Sequence, residues 1–289
     1  MAEDFARKTV LAGGHALAYR ESGPADGPTV VLLHGLASDA DTWDKAIGPL
    51  AGHGLRVLAV DLIGHGESDK PSGEYLLSDF AQSVGEFLDA LDIRSATLCG
   101  HSFGGAIAMY FGTRHPDRVD RVVLVSAGGL GREVHPVLRA AALPVAPVVL
   151  RAATHPWLRR LYARPGLHRA LRLTPDNVTN LRRAARALGT EAGQASFFAS
   201  LRGVIAPSGQ LSASEEMRAF AERVPMLLIW NEGDPVIPLA HAKAHAARAK
   251  DASRLVIFPN RGHEPHRRNA EQFAEEVAGF IGASARPDM

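Results

Sequence analysis

The chain has 289 residues, 46% of them hydrophobic and 22% charged, and 32 Lys and Arg nearly balance 31 Asp and Glu. That length suits one large domain or a core with an insertion, and the balance excludes a disordered chain, a collagen-like repeat and a uniformly basic nucleic-acid binder. A single cysteine, Cys99, excludes an intramolecular disulfide and a four-cysteine zinc site.

The N-terminal MAEDFARKTV lacks the apolar stretch of a secretory signal. The most apolar window, Ala140 to Leu150, is too short to span hydrocarbon and contains Pro144 and Pro147. A cytoplasmic chain without a transmembrane segment is expected. Lys8 to Gly13 and His15 to Glu21 read as an antiparallel hairpin turned at Gly13-Gly14. Strands are then predicted at Thr29 to His34, Arg56 to Asp61, Ala96 to Gly100, Arg121 to Ser126, Met226 to Trp230 and Arg254 to Phe258. Their β-branched and leucine content suits strands covered on both faces.

Helical period appears between them. Phe80, Val84, Phe87, Leu88 and Leu91 follow a Ser78 cap, Ala106 to His115 forms a second run, and Phe273, Val277, Phe280 and Ile281 follow Asn269. The alternation is the pattern of an α/β protein with an eight-stranded, mainly parallel sheet flanked by helices. It breaks between residues 131 and 222, where Pro-interrupted, Arg-rich stretches predict a helical lid inserted after the sixth strand. The core is accordingly expected at 1–130 and 223–289.

Gly100-His101-Ser102-Phe103-Gly104 stands directly between a predicted strand and a predicted helix. This is the context of a nucleophile elbow, whose strained turn exposes a serine hydroxyl and tolerates only small neighbours. A serine hydroxyl needs a base, and the base needs an acid to orient it. Asp234 lies four residues past the strand ending at Trp230, and His263 five past the strand ending at Phe258. Glu232 competes as the acid, and His101 and His266 compete as the base. Developing negative charge on a carbonyl oxygen requires backbone donors, assigned to the amides of Leu36 and Phe103. His34, Gly35, His101, Leu130 and Val236 are candidates for contact with substrate.

His241 and His245 are four apart on a predicted helix, a zinc-compatible spacing, but no third ligand accompanies them and they read as a solvated helix face. The Gly64-His65-Gly66 loop lacks the Lys and Ser/Thr of a phosphate loop and reads as structural, with Asp61 satisfying its backbone amides. No metal and no cofactor are implied. The 131–222 segment carries thirteen Arg, no Lys and six acidic residues. That excess suits anionic substrates or a membrane surface, although solvated helix faces account for most such arginines. Leu138, Leu143, Val145, Val148, Val149, Leu150 and Trp157 either roof an acyl pocket or form the lid's own core.

Across its whole length the chain resembles the α/β-hydrolase superfamily. The matching elements are His34-Gly35-Leu36, the loop from Asp61 to Pro71, Gly100 to Gly105, Trp230 to Asp234 and Gly262-His263, in the chain order Ser, Asp, His. The resemblance implies the α/β-hydrolase fold and a carboxylesterase-type serine hydrolase acting on a small-molecule ester. Ser126 to Leu130, opening the lid, looks like bacterial esterase-like hydrolases and faintly like the carbon-carbon bond hydrolases of aromatic degradation. The latter usually place Trp beside the catalytic His, where Glu264 stands here. Epoxide hydrolases and haloalkane dehalogenases carry an Asp nucleophile in place of Ser102, and the former use two lid tyrosines where this lid offers Tyr162 alone. Thioesterase or perhydrolase activity, and a non-catalytic ligand sensor, remain readings of the same triad.

Overall fold

Residue-by-residue alternation inside unbroken apolar strands organises this protein. The structure, a computed structural model, describes residues 5–153, 183, 185–211, 214–249 and 252–282. Strands β1 (Arg7–Ala12), β2 (His15–Ser22), β3 (Thr29–Leu33), β4 (Arg56–Val60), β5 (Ala96–His101) and β6 (Val119–Val125) precede the short pair β7 (Ile205–Ala206) and β8 (Gly209–Gln210). Strands β9 (Met226–Gly233) and β10 (Ser253–Arg261) follow. The main sheet has eight strands in the order β1-β2-β4-β3-β5-β6-β9-β10. The β1–β2 and β2–β4 pairs are antiparallel and the others parallel.

The helices are α1 (Asp44–Gly52), α2 (Leu77–Ala90), α3 (Phe103–Arg114), α4 (Pro136–Ala141), α5 (Ala146–Ala153), α6 (Glu191–Val204), α7 (Glu215–Ala221), α8 (Leu239–Arg248), α9 (Pro265–Arg268) and α10 (Ala270–Gly282). Because strand side chains alternate, Val30, Leu32, Val57 and Val123 face one layer, with Trp43, Ile47, Leu50, Phe273 and Val277 from around α1 and α10. Val31, Leu33, Leu58, Leu98 and Val122 face the other, with Phe80, Phe87, Ile107 and Phe111 of α2 and α3. Both faces are thereby dry, which is why β3 and β4 read as continuous hydrophobic runs.

Several details depart from the sequence reading. Helix α2 starts at Leu77 instead of after a Ser78 cap, because the Asp79 carboxylate accepts the Leu76 amide at 2.9 Å. The β7–β8 hairpin falls inside the segment expected to be helical, its two-residue strands being too short to show alternation. Leu143, Val145, Val148 and Val149 are exposed, whereas Leu138 packs against the core. The Leu150 side chain, Trp157 and Tyr162 lie outside the described residues. His241 and His245 are buried, not solvated, and His241 pairs with Glu133 at 2.7 Å.

Candidate active site

Four loops leaving the C-terminal ends of parallel strands converge, the place where open α/β sheets gather ligand-binding groups. Ser102 lies between β5 and α3 at φ 53° and ψ −113°, a conformation that L-residues rarely adopt. The residues two positions away on either side must lack side chains. A Cβ on Gly100 would lie 2.3 Å from the Gly104 carbonyl oxygen, and one on Gly104 would lie 2.3 Å from that of Leu33. The turn is held by its own backbone: the Ser102 amide donates to Val125 at 3.0 Å, and the Gly128 and Gly105 amides donate to the Ser102 carbonyl at 2.9 and 3.1 Å.

Strands β9 and β10 run beyond their predicted ends at Trp230 and Phe258, and Arg261 pairs with Gly233 after a break in register. The Gly262 amide donates to the Gly233 carbonyl at 3.2 Å, and Asn231 Nδ2 donates to the Gly262 carbonyl at 3.0 Å. Asp234 therefore follows its strand directly and His263 follows two residues after its own, which brings them together. His263 Nδ1 lies 2.9 and 3.1 Å from the two Asp234 oxygens. The carboxylate side chain is fully buried and also accepts the Val236 and Ile237 amides at 2.8 and 3.1 Å. Burial alone would raise its pKa, but the His263 ring, the Ser126 hydroxyl and the Val236 amide hold it below the usual aspartate value. An ionised carboxylate fixes the proton on Nδ1, so Nε2 presents its lone pair. That Nε2 is buried and makes no hydrogen bond among the described residues.

Leu36 and Phe103, the predicted oxyanion donors, leave β3 and open α3 respectively. First-turn amides of a helix have no partner within it, which applies to Phe103; its ring packs edge-on to Phe80 with centroids 4.9 Å apart. His34 is completely buried, its Nε2 accepts the Leu62 amide at 3.1 Å, and its Nδ1 consequently donates to the Gly35 carbonyl at 2.8 Å. Burial lowers its pKa to about 4, so it stays neutral. Because a peptide is planar and trans, pinning that carbonyl also fixes the direction of the Leu36 amide.

The other sequence candidates lie around Ser102, Asp234 and His263 as framework. Gly35 is packed so closely that a Cβ there would lie 3.2 Å from both His101 Nδ1 and Ser102 Cβ. His101 is buried, with Nε2 2.8 Å from the His263 carbonyl oxygen. Leu130 is half-buried against the core. Val236 holds Asp234 through its amide and accepts the His135 amide at 3.0 Å through its carbonyl. Of the competing residues, Glu232 is exposed, and His266 is sealed between Trp43 and His101 with ring centroids 4.2 and 4.8 Å away. Glu264 accepts hydrogen bonds from Arg183 at 3.0 Å and from Thr42 at 3.2 Å. Asp61 accepts the Ala40 and Glu67 amides at 2.7 and 2.8 Å, as its loop requires.

Sequence reasoning missed Gln210. Its side-chain oxygen accepts the Gly129 amide at 3.0 Å and its Nε2 donates to the Glu133 carbonyl at 2.9 Å, bracing the strap that bonds Ser102. A lone glutamine in a Pro-Ser-Gly turn carries no signal of that role. Among the described residues no group of three or more His, Cys, Asp and Glu could hold a metal ion, and no helix is long and apolar enough to cross a membrane.

Residues 28–269 match the family described as the alpha/beta hydrolase fold. An uncharacterized protein of Mycobacterium tuberculosis is 34% identical over 273 residues, 93% of this chain and 79% of that protein. A non-heme chloroperoxidase of Streptomyces lividans is 43% identical over 115 residues, 39% of this chain and 42% of that protein. Among solved structures, a meta-cleavage product hydrolase from Pseudomonas fluorescens superposes with a TM-score of 0.71 at 26% identity, covering 96% of this chain and 98% of that one.

Proposed function

This chain belongs to the alpha/beta hydrolase fold family, and from that premise we propose that it is a serine hydrolase cleaving carboxylic esters of small to medium apolar substrates through an acyl-enzyme. The observation that carries the reading is His263, anchored through Nδ1 to both oxygens of Asp234, with its Nε2 unpaired beside the strained Ser102 turn. Hydrogen bonds between nucleophile and base often tighten only when substrate binds.

In this mechanism Ser102 Oγ attacks the ester carbonyl carbon while His263 Nε2 takes its proton. The amides of Leu36 and Phe103 stabilise the tetrahedral oxyanion. Its collapse breaks the bond to the leaving alkoxide, which receives the proton from His263. Water, deprotonated by the same Nε2, then attacks the acyl-enzyme and releases the acid and free Ser102. Asp234 holds the imidazole tautomer and stabilises the imidazolium without itself being protonated.

Likeness to the meta-cleavage product hydrolase over nearly the whole chain favours a second reading, carbon-carbon bond hydrolysis on the same triad. The leaving group separates the two. Wild-type protein should hydrolyse p-nitrophenyl esters between acetate and palmitate, with the preferred chain length sizing the pocket. Ser102→Ala should lower the rate by about a thousand-fold or more, the scale of losing a triad member. Undiminished turnover by Ser102→Ala would overturn the proposal. Inactivity of the folded wild type on every ester, with turnover of a vinylogous diketone acid, would favour the second reading.

A further inference from the structure

The nucleophile and the base lie 161 residues apart in sequence, and one side chain ties them. We propose that His101 is a positioning residue that holds the backbone of the His263 loop in register with Ser102. The inference rests on the serine hydrolase reading above.

His101 is the last residue of β5 and pairs with Val125 of β6, so its backbone is set by the sheet one residue before the elbow. Its Nε2 lies 2.8 Å from the His263 carbonyl oxygen. A carbonyl only accepts, so Nε2 carries the hydrogen and Nδ1 the lone pair. That Nδ1 is buried, has no hydrogen-bond partner among the described residues and lies over Gly35, where a Cβ would be 3.2 Å away. The ring is packed on three other sides: centroids of His263 and His266 are both 4.8 Å away and that of Trp43 is 6.3 Å away. A single rotamer and a single tautomer are thus enforced.

The consequence for catalysis follows from what else holds His263. Asp234 grips the imidazole, and among the described residues the main chain of residues 262–263 is held by the Gly262 amide on the Gly233 carbonyl and by two side-chain donors, Asn231 to the Gly262 carbonyl and His101 to the His263 carbonyl. Of these two side-chain donors, only His101 is bonded directly to the nucleophile residue. Any shift of the elbow is transmitted to the base loop, which preserves the distance from Oγ to Nε2. Burial and the neighbouring His263 lower the His101 pKa to about 4, so the donor stays neutral while His263 is charged during turnover.

Two variants separate the hydrogen bond from the packing. His101→Phe keeps ring volume and removes the donor, whereas His101→Gln supplies an amide N–H at similar reach. The readouts are the rate of Ser102 phosphonylation by a fluorophosphonate, followed by intact mass, and kcat and KM on a p-nitrophenyl ester. His101→Phe should slow labelling and kcat by about 10- to 100-fold, the scale of a misplacement near 1 Å, with little change in KM. His101→Gln should recover most of that loss. Wild-type rates in His101→Phe would overturn the proposal, as would equal slowing of both variants at unchanged thermal midpoints. If His101→Phe fails to fold, His101→Asn, one bond too short to reach, takes its place against Gln with the same criteria. Failure of the wild type to label at Ser102 would overturn the serine hydrolase reading and this role together.

Discussion

Holding Ser102 at positive φ costs about 1 to 3 kcal/mol of backbone strain, and the surroundings must over-determine it. Three backbone hydrogen bonds and two side-chain-free glycines do so. At Gly104 the absent Cβ would meet the backbone of Leu33 and His34 at the end of β3, which cannot rotate away as a side chain could. Gly104→Ala should therefore force α3 off the sheet, lowering stability by about 1 to 3 kcal/mol as overpacking does and depressing kcat with it. A urea midpoint equal to the wild type would show that α3 shifts freely. At this scale the strained Ser102 turn and the Asp234–His263 contact were legible from order and spacing, because a glycine-flanked strand-to-helix turn constrains residue identity as well as position. His34 and His101, expected to contact substrate, are buried with a ring nitrogen on a main-chain carbonyl. Sequence reveals that a histidine follows a strand, but not that its ring turns back to donate to a main-chain carbonyl.

Elements bring Asp234 and His263 together through their ends. Strands β9 and β10 each continue three residues past the apolar run that betrays them in sequence, with Asn231 pairing with Phe258 and Gly233 with Arg261. Hydrophobic pattern marks where a strand is covered, and it loses the strand where the sheet edge opens into the site. The same limit hid the β7–β8 hairpin, whose Gln210 reaches the Gly129 strap. Central strands such as β3 and β4, covered on both faces, were found nearly to the residue. Asn231 is the joint of the two extended ends: it is completely buried in β9 and donates to Gly262, one residue before His263. Asn231→Leu leaves that carbonyl without this donor and should cost about 1 to 3 kcal/mol, the penalty of an unmade buried hydrogen bond. Loss of kcat with KM nearly unchanged should accompany it. Unaltered thermal midpoint and kcat would mean that the strand ends hold without it.

A chain of buried imidazoles runs beneath the site: His65 and His34 lie 5.2 Å apart by ring centroid, and His101 packs against both His263 and His266. Burial lowers the pKa of His34 and His101 to about 4, that of His65 to about 3, and that of His266 well below the usual histidine value. The sign of the linkage is fixed by these directions. Above pH 6.5 both folded and unfolded chains hold these rings neutral. As pH falls below 6.5 the unfolded chain takes up protons that the folded chain refuses, so stability is lost through the window from 6.5 down to about 4. Each such ring contributes a slope of about 1.4 kcal/mol per pH unit, and the four together set an upper limit of roughly 5 to 6 kcal/mol per unit. Against a typical folding free energy of about 5 to 15 kcal/mol, acid unfolding should come between about pH 4 and 5. Carboxylates held below their ordinary values, such as Glu21 and Asp234, add their own loss only further down, as pH falls through their folded pKa. Urea midpoints measured at half-unit steps from pH 7.5 to 4.5 test this directly. They should be level above 7 and fall steeply below 6.5, and a flat series down to 4.5 would show that the buried rings are protonated in the folded protein.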